Sequence, residues 1–353
     1  MLAQPSDPQH LFEEAMEAQQ RGDDALAVRD YQQLLRLHPG ATEVRVNLGA
    51  TLADQKHFSE AIAQYRIVLA ADPTNRMARM NMALAYQASG NLPDAIQQLQ
   101  QLDREQAHDE QTQLLLADCL TQSGRYREAI SLLAPLEAAD PGNVDVQWLL
   151  GSSLIHAGRP QDGVERVEKV AGQDANAYLV AGEGRFAMNQ YDLAQRDAEA
   201  ARRLNPALAG LSTLDGMILE QQGDYDGAQA ALLKSVAANA GDFDAQLYLG
   251  AVAYFQRNME DARVHLTKAL ELRPDSAQAR YELALVARAD GQPEVAVRYL
   301  ETLVRHSPDW LQPHVELAAL YYRLHRPEDG ARERRIVDRM MATQQQSQAA
   351  AAH

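Results

Sequence analysis

Apolar residues along this chain fall in short blocks of helical spacing, and the blocks come in pairs. In "VRVNLGATLADQ" followed by "FSEAIAQYRIVLAAD", two amphipathic helices are separated by a polar turn, and a proline follows the second. The pairing repeats. "KHFSEAIAQYRIVLAADPTN", residues 56–75, is answered 68 residues later by "GRYREAISLLAPLEAADPGN", residues 124–143. A shift of 34 residues aligns two columns of small residues, one running from Ala15 and Gly49 to Ala284 and Ala318, the other from Ala27 and Ala61 to Ala296 and Gly330. Every step in both columns is 34 except one of 31, between Gly151 and Gly182 and between Gly163 and Ala194. Ten units therefore share one frame with a single three-residue deletion.

Each unit reads as a helix-turn-helix pair. Pro93, Pro160, Pro293 and Pro327 fall in the first turn of a second helix, where a missing N–H costs nothing. Pro39, Pro73, Pro141, Pro206, Pro274 and Pro308 close six of the units. Ala or Gly where paired helices cross lets the backbones approach, so the small columns are packing positions. The spacing predicts a lead-in over residues 1–7, ten repeats over 8–342 and a low-complexity tail over 343–353. Ser6 or Asp7 is placed to cap the first helix ahead of Pro8, and Pro135 to bend its helix. The deletion and the Gly-dotted "YLVAGEGRFAMNQ" predict a weak seam near residues 171–185. At the C-terminal end, Arg332, Glu333, Arg334, Arg335, Asp338 and Arg339 are set to solvate an outer face, as a stacked array requires.

This pattern resembles the tetratricopeptide repeat, whose signature combines small residues in both helices with a terminal proline. The resemblance extends over about residues 8–342 and implies an all-α, right-handed superhelical solenoid. It also implies that the first helix of each repeat lines a concave groove. Counting the first small residue of a repeat as position 8, groove positions 2, 5, 6, 9, 12 and 13 carry ten acids and two bases, Arg288 and Arg323. The candidate binding residues carried over in this way are Asn47, Met77, Met80, Asn81, Leu84, Asp118, Trp148, Glu183, Phe186, Tyr248, Tyr254, Phe255, Tyr281 and Glu282. Met and aromatic side chains suit peptide anchoring. Asn47 and Asn81 look like two rungs of the asparagine ladder by which some long arrays of the family hold a peptide backbone, since an amide both donates and accepts. The family's carboxylate clamp is not matched, because Phe12, Met16, Met77 and Asn81 occupy its places.

Composition narrows the partner. The 353 residues are 46% hydrophobic but only 6% aromatic, and the net charge is -16 with no basic block, which disfavours nucleic acid and anionic membranes. The one cysteine, Cys119, lies in a helical pattern and reads as a buried thiol. No apolar run is long enough to span a bilayer, and no leader is evident, so a cytoplasmic location is expected, or a periplasmic or exported one if a leader has been removed. No His pair, Cys cluster or phosphate loop points to a metal, cofactor or catalytic centre. The expected function is a non-catalytic scaffold, a monomer or weak homo-oligomer, binding a basic or apolar peptide or helix of another protein. The alternatives are self-assembly, or an adaptor presenting substrate to a separate enzyme such as a glycosyltransferase.

Overall fold

The computed structural model describes residues 7–105, 109–170, 172 and 174–351. Residues 1–6 of the lead-in with Ser6, residues 171 and 173 of the expected seam, and the last two residues of the tail lie outside them. Among the described residues there are twenty helices and no strand. They form ten hairpins, from α1 (Pro8–Gln20) with α2 (Asp24–Leu37) to α19 (Leu311–Arg323) with α20 (Pro327–Ala351). The chain divides into two compact units, Met1–Gly172 and Gln173–His353. The first holds α1 to α10, including α3 (Thr42–Asp54), α4 (Phe58–Ala71), α5 (Arg76–Ala88), α6 (Leu92–Glu105), α7 (Glu110–Gln122), α8 (Tyr126–Ala139), α9 (Val144–His156) and α10 (Pro160–Val170). The second holds α11 (Ala175–Ala187), α12 (Tyr191–Leu204), α13 (Leu211–Gln221), α14 (Tyr225–Ala238), α15 (Phe243–Phe255), α16 (Met259–Leu272), α17 (Ala277–Ala289), α18 (Pro293–His306), α19 and α20. In the fifth repeat α10 is described over 11 residues, where α2, α4, α6 and α8 each have 14.

The helix starts follow capping chemistry. The Asp7 side chain accepts from the backbone N–H of Gln9, and Asp23, Asn75, Asp109, Asn143 and Asp242 cap α2, α5, α7, α9 and α15 in the same manner. Pro135 sits inside α8, which runs unbroken from Tyr126 to Ala139. The Gln/Ala-rich segment set apart by composition is helical as far as Ala351, a continuation of α20 that follows from the high helix propensity of Ala and Gln.

The small columns sit where the paired helices approach most closely. Ala15, Ala27, Ala61, Ala83, Ala95 and Ala117 are all 0% exposed. At the crossing of α9 and α10 two glycines face each other. A Cβ on Gly163 would lie 2.5 Å from the carbonyl oxygen of Gly151, and one on Gly151 would lie 2.9 Å from that of Gly163. Since backbone stands in the way on both sides, no rotamer change makes room.

Two further columns emerge only in three dimensions. The turn inside every hairpin places one residue at positive φ: six are glycines, such as Gly22 and Gly90, and four are Lys56, Asn189, Arg257 and His325. In each, the next N–H returns to a carbonyl five residues back, as Asp23 does to Ala18 and Asn258 to Ala253, which closes a Schellman motif. The second column is a polar clasp at position 4. Arg45, Gln147 and Arg280 donate to the carbonyls of Pro39, Pro141 and Pro274 at 2.8, 3.1 and 2.6 Å, Arg79 donates to that of Pro73, and the His314 ring meets that of Pro308 at 3.0 Å. The same side chains reach the second helix of their own hairpin: Arg45 to Gln64, Arg79 to Gln98 and His314 to Glu333. The closing proline thus supplies a carbonyl acceptor as well as a stop.

Two predictions follow from this geometry. Gly163→Ala lowers the unfolding free energy by about 2–3 kcal/mol in denaturant titration, whereas Gly40→Ala, with open space around the new methyl, leaves it unchanged or slightly raised. Arg257→Gly relieves a left-handed side chain and raises stability by about 1 kcal/mol in the same assay.

Candidate functional site

All fourteen candidate residues lie on first helices. Seven belong to the first unit: Asn47 on α3, Met77, Met80, Asn81 and Leu84 on α5, Asp118 on α7 and Trp148 on α9. Neighbouring first helices touch each other, α3 with α5 and α7 with α9. Met77 and Leu84 are 65% and 44% exposed, large apolar side chains facing solvent on α5. Asp118 accepts from Gln87 at 2.7 Å and from Gln122 at 2.8 Å, so its carboxylate is held between α5 and α7. Trp148 packs its ring against the Leu149–Leu154 core and buries an indole N–H with no acceptor among the described residues.

Asn47 and Asn81 have partners inside the chain. Each amide lies beside the hydroxyl of a tyrosine on the second helix of the preceding repeat, Asn47 beside Tyr31 and Asn81 beside Tyr65, near enough to act on the phenol. Both tyrosines are buried, and burial pushes both phenols up from the usual range. These tyrosines escaped the sequence reading, although the signal was present: position 24 is Tyr only in repeats 1 and 2, and position 6 is Asn only in repeats 2 and 3. Between α3, α4 and α5 lies a cleft of about 250 Å³ lined by Ala50, Ala53, Asp54, Phe58, Tyr65, Asn81, Leu84, Ala85 and Ala88.

The second unit carries Glu183 and Phe186 on α11, Tyr248, Tyr254 and Phe255 on α15, and Tyr281 and Glu282 on α17. Here too the first helices adjoin, α11 with α13, α13 with α15 and α15 with α17. Phe186 is only 9% exposed; it packs on Tyr191 at 5.3 Å and on Tyr248 at 6.1 Å and is a core side chain. Phe255 is 49% exposed and stacks on Tyr225 at 5.2 Å, and Tyr281 packs on Trp310 at 4.9 Å.

Tyr248 is surrounded by acids, with Asp244, Glu220 and Glu282 near enough to push its phenol upward beyond the effect of burial. Burial, and secondarily Glu220, holds the Glu282 carboxyl up at about 7. Burial likewise raises Glu220. Each of these two carboxylates accepts from a glutamine of its own helix, Gln221 for Glu220 at 2.6 Å and Gln278 for Glu282 at 2.9 Å, and neither has an ion-pair partner among the described residues. Glu316, by contrast, is paired with Arg288, one of the two groove bases. Cys119 is fully buried and its thiol is pushed up to about 12, which leaves it protonated and unreactive. No described helix is long and apolar enough to cross a membrane.

Comparison with known proteins places the hairpins in a family. A model described as tetratricopeptide repeat matches residues 12–76, 213–277 and 252–309, and a second of the same description matches 120–182. Residues 54–136 match a model of anaphase-promoting complex, cyclosome, subunit 3. Among curated proteins no match is found. Of the solved structures, the chain is similar to one described as an APC/C hetero-tetramer Cut9-Hcn1, at 13% identity over 95% of this chain and 87% of that one, with a TM-score of 0.54. Yeast Tom70 aligns over 96% of both chains at 12% identity but superposes more loosely, with a TM-score of 0.39. With 386 solved chains matching, likeness of fold singles out no one activity. The repeat models, the 34-residue frame and the ten hairpins closed by the same turn agree: the chain belongs to the tetratricopeptide repeat family.

Proposed function

We propose that this protein is a non-catalytic scaffold that binds an extended or helical segment of another protein along its rows of first helices. The observation that carries this reading is the coexistence, on those helices, of exposed apolar side chains with carboxylates that have no internal cation. Met77, Leu84 and Phe255 stand in water, while Glu220 and Glu282 are drawn partly out of it without a counter-charge. A segment carrying apolar anchors and basic residues relieves both conditions at once. In the first unit the anchors are Met77, Met80 and Leu84, with Asn81, Asn47, Asp118 and Trp148 alongside. In the second they are Tyr254 and Phe255, with Tyr248, Tyr281, Glu183 and Glu282 forming the acidic and aromatic surround and Phe186 supporting Tyr248 from the core.

Self-assembly through the ends is the weaker reading, because both ends are charged. Shifted by one repeat, the buried Leu300 becomes Arg334 and Val304 becomes Asp338, and these two pair with each other at 3.2 Å on an exposed face of α20. The outer face of α1 likewise carries His10, Glu14 and Glu17. An adaptor role for a separate enzyme follows from the same binding surface and is distinguished by an activity that appears only with a second chain.

Selection from a random peptide display library on the full chain is expected to enrich peptides of net positive charge with apolar anchors; enrichment of acidic peptides, or of none, refutes the reading. With an enriched peptide, changing Asp118, Glu183, Asp244 and Glu282 together to Asn or Gln slows association and flattens its salt dependence, because exposed charges act through attraction screened over about 8–10 Å. Replacing Met77 and Phe255 by Ala instead speeds dissociation, and stopped-flow mixing at several salt concentrations separates the two rates. Acidity gives an independent check. Glu282 carries its charge above about pH 7 and loses it below, so affinity for a basic peptide falls as pH drops from about 8 to 6, and Glu282→Gln removes that part of the dependence.

A further inference from the structure

The exposed face of α5 is an apolar stripe in an acidic frame. Met77 is 65% exposed, the largest value among the described large apolar side chains, and Leu84 is 44% exposed. Met80, half-buried, and Ala88, exposed, complete the stripe at helical spacing. From residue 77 to residue 88 it covers about 16 Å of helix axis. The cations of the helix are committed elsewhere: Arg76 is paired with Asp109, and Arg79 is buried in the clasp on Pro73. One repeat earlier, the places of Met77 and Ala88 are held by Glu43 and Asp54, both exposed on α3, which packs on α5. On the other side, Gln87 of α5 donates to Asp118 of α7 at 2.7 Å. None of these three acids has an ion-pair partner among the described residues. Burial first, and Asp24 second, hold the Asp54 carboxyl above its usual range, as befits an acid without a cation.

We infer that the α5 stripe is the seat of an amphipathic partner helix, about three turns long, whose apolar face meets Met77, Met80 and Leu84 and whose flanks carry lysine or arginine. This rests on the proposal that a partner segment lies along the first helices, and it names the form of that segment. Charge selects the flanks, because carboxylates stand on both sides of the stripe and the arginines of α5 are turned away from it. The backbone selects the helix. An extended segment brings bare N–H and C=O groups that need partners on the surface it covers. That surface is built of α3, α5 and α7, whose own backbone groups are bonded within each helix, so it offers no edge for a strand to pair with. The side-chain amides there, Asn47 and Asn81, lie beside the hydroxyls of Tyr31 and Tyr65. A helix satisfies its own backbone and presents only side chains. An acidic helix meets the frame with like charge, and a wholly apolar one leaves the flanking carboxylates without a cation.

The test uses the full chain and two peptides of about fourteen residues that share one composition of leucine and lysine. In the first the leucines follow helical spacing; in the second they alternate with lysine, the spacing of a strand. Titration calorimetry is expected to show the first binding about tenfold or more tighter than the second. Circular dichroism gains helix on mixing, since so short a helix is marginal when free. The methyl resonances of Met77 and Met80 shift on binding, while those of buried Met82 and of Met341 on α20 stay in place. Met77→Ser with Leu84→Ser weakens the first peptide about tenfold or more; both side chains are exposed, so the fold does not rest on them. Phe255→Ala, in the second unit, leaves that affinity unchanged. The inference is overturned if the alternating peptide binds as tightly, if the serine variant keeps full affinity, or if neither peptide binds. A Met77 resonance that moves on dilution of the chain alone assigns the stripe to a second copy and overturns it as well. Tight binding of the alternating peptide removes the helix and leaves the scaffold reading standing; that reading falls only with the display selection, whose peptides need no helical spacing.

Discussion

Everything in this protein depends on how closely two helices of a hairpin can approach. The crossing needs a position on each helix with little or no side chain, and the chain supplies it ten times over in two columns of Ala and Gly. Once the backbones are that close, the larger side chains on either side interlock, and Tyr31, Tyr65, Leu99, Leu133, Leu232, Leu266 and Leu300 become almost wholly buried. The hairpin turn is then confined to one geometry, with a left-handed residue at its apex, and the polar side chain at position 4 can reach back to the carbonyl of the closing proline. Packing, turn and clasp are three consequences of one approach distance.

The same regularity explains where chemistry can appear. In a stacked array most positions are committed to neighbours, so a departure from the pattern has local effects that nothing absorbs. Where the first repeat has Gln19, bonded to Tyr31, the second has Ala53, which lines a cleft. Burial, with Glu220 second, holds the Glu282 carboxyl up at about 7, and no ion-pair partner meets it among the described residues. Arg334 and Asp338 stand where the preceding repeat has Leu300 and Val304, and they pair with each other on an exposed face of α20.

The candidate residues divide along physical lines that side-chain type alone does not reveal. Phe186 and Phe255 are the same residue on equivalent helices, yet the first is packed between Tyr191 and Tyr248 and the second stands half in water on Tyr225. Asn47 and Asn81 resemble rungs of a ladder by side-chain type and frame position. Within the chain they lie beside the hydroxyls of Tyr31 and Tyr65.

Sequence by itself determined the helical hairpins, their number, their frame and the place of the three-residue loss, because backbone period and side-chain volume are local properties that leave a period in the letters. It also determined that the first helices carry an excess of acid. Tertiary structure decided what each of those side chains meets. Tyr65 and Asn81 are 16 positions apart, Tyr31 and Gln19 are 12, and Glu220 and Glu282 are 62, so no local pattern links them. The carboxyl held near neutrality and the clasp on the closing proline arise from distances across helices, which the order of residues along the chain does not contain.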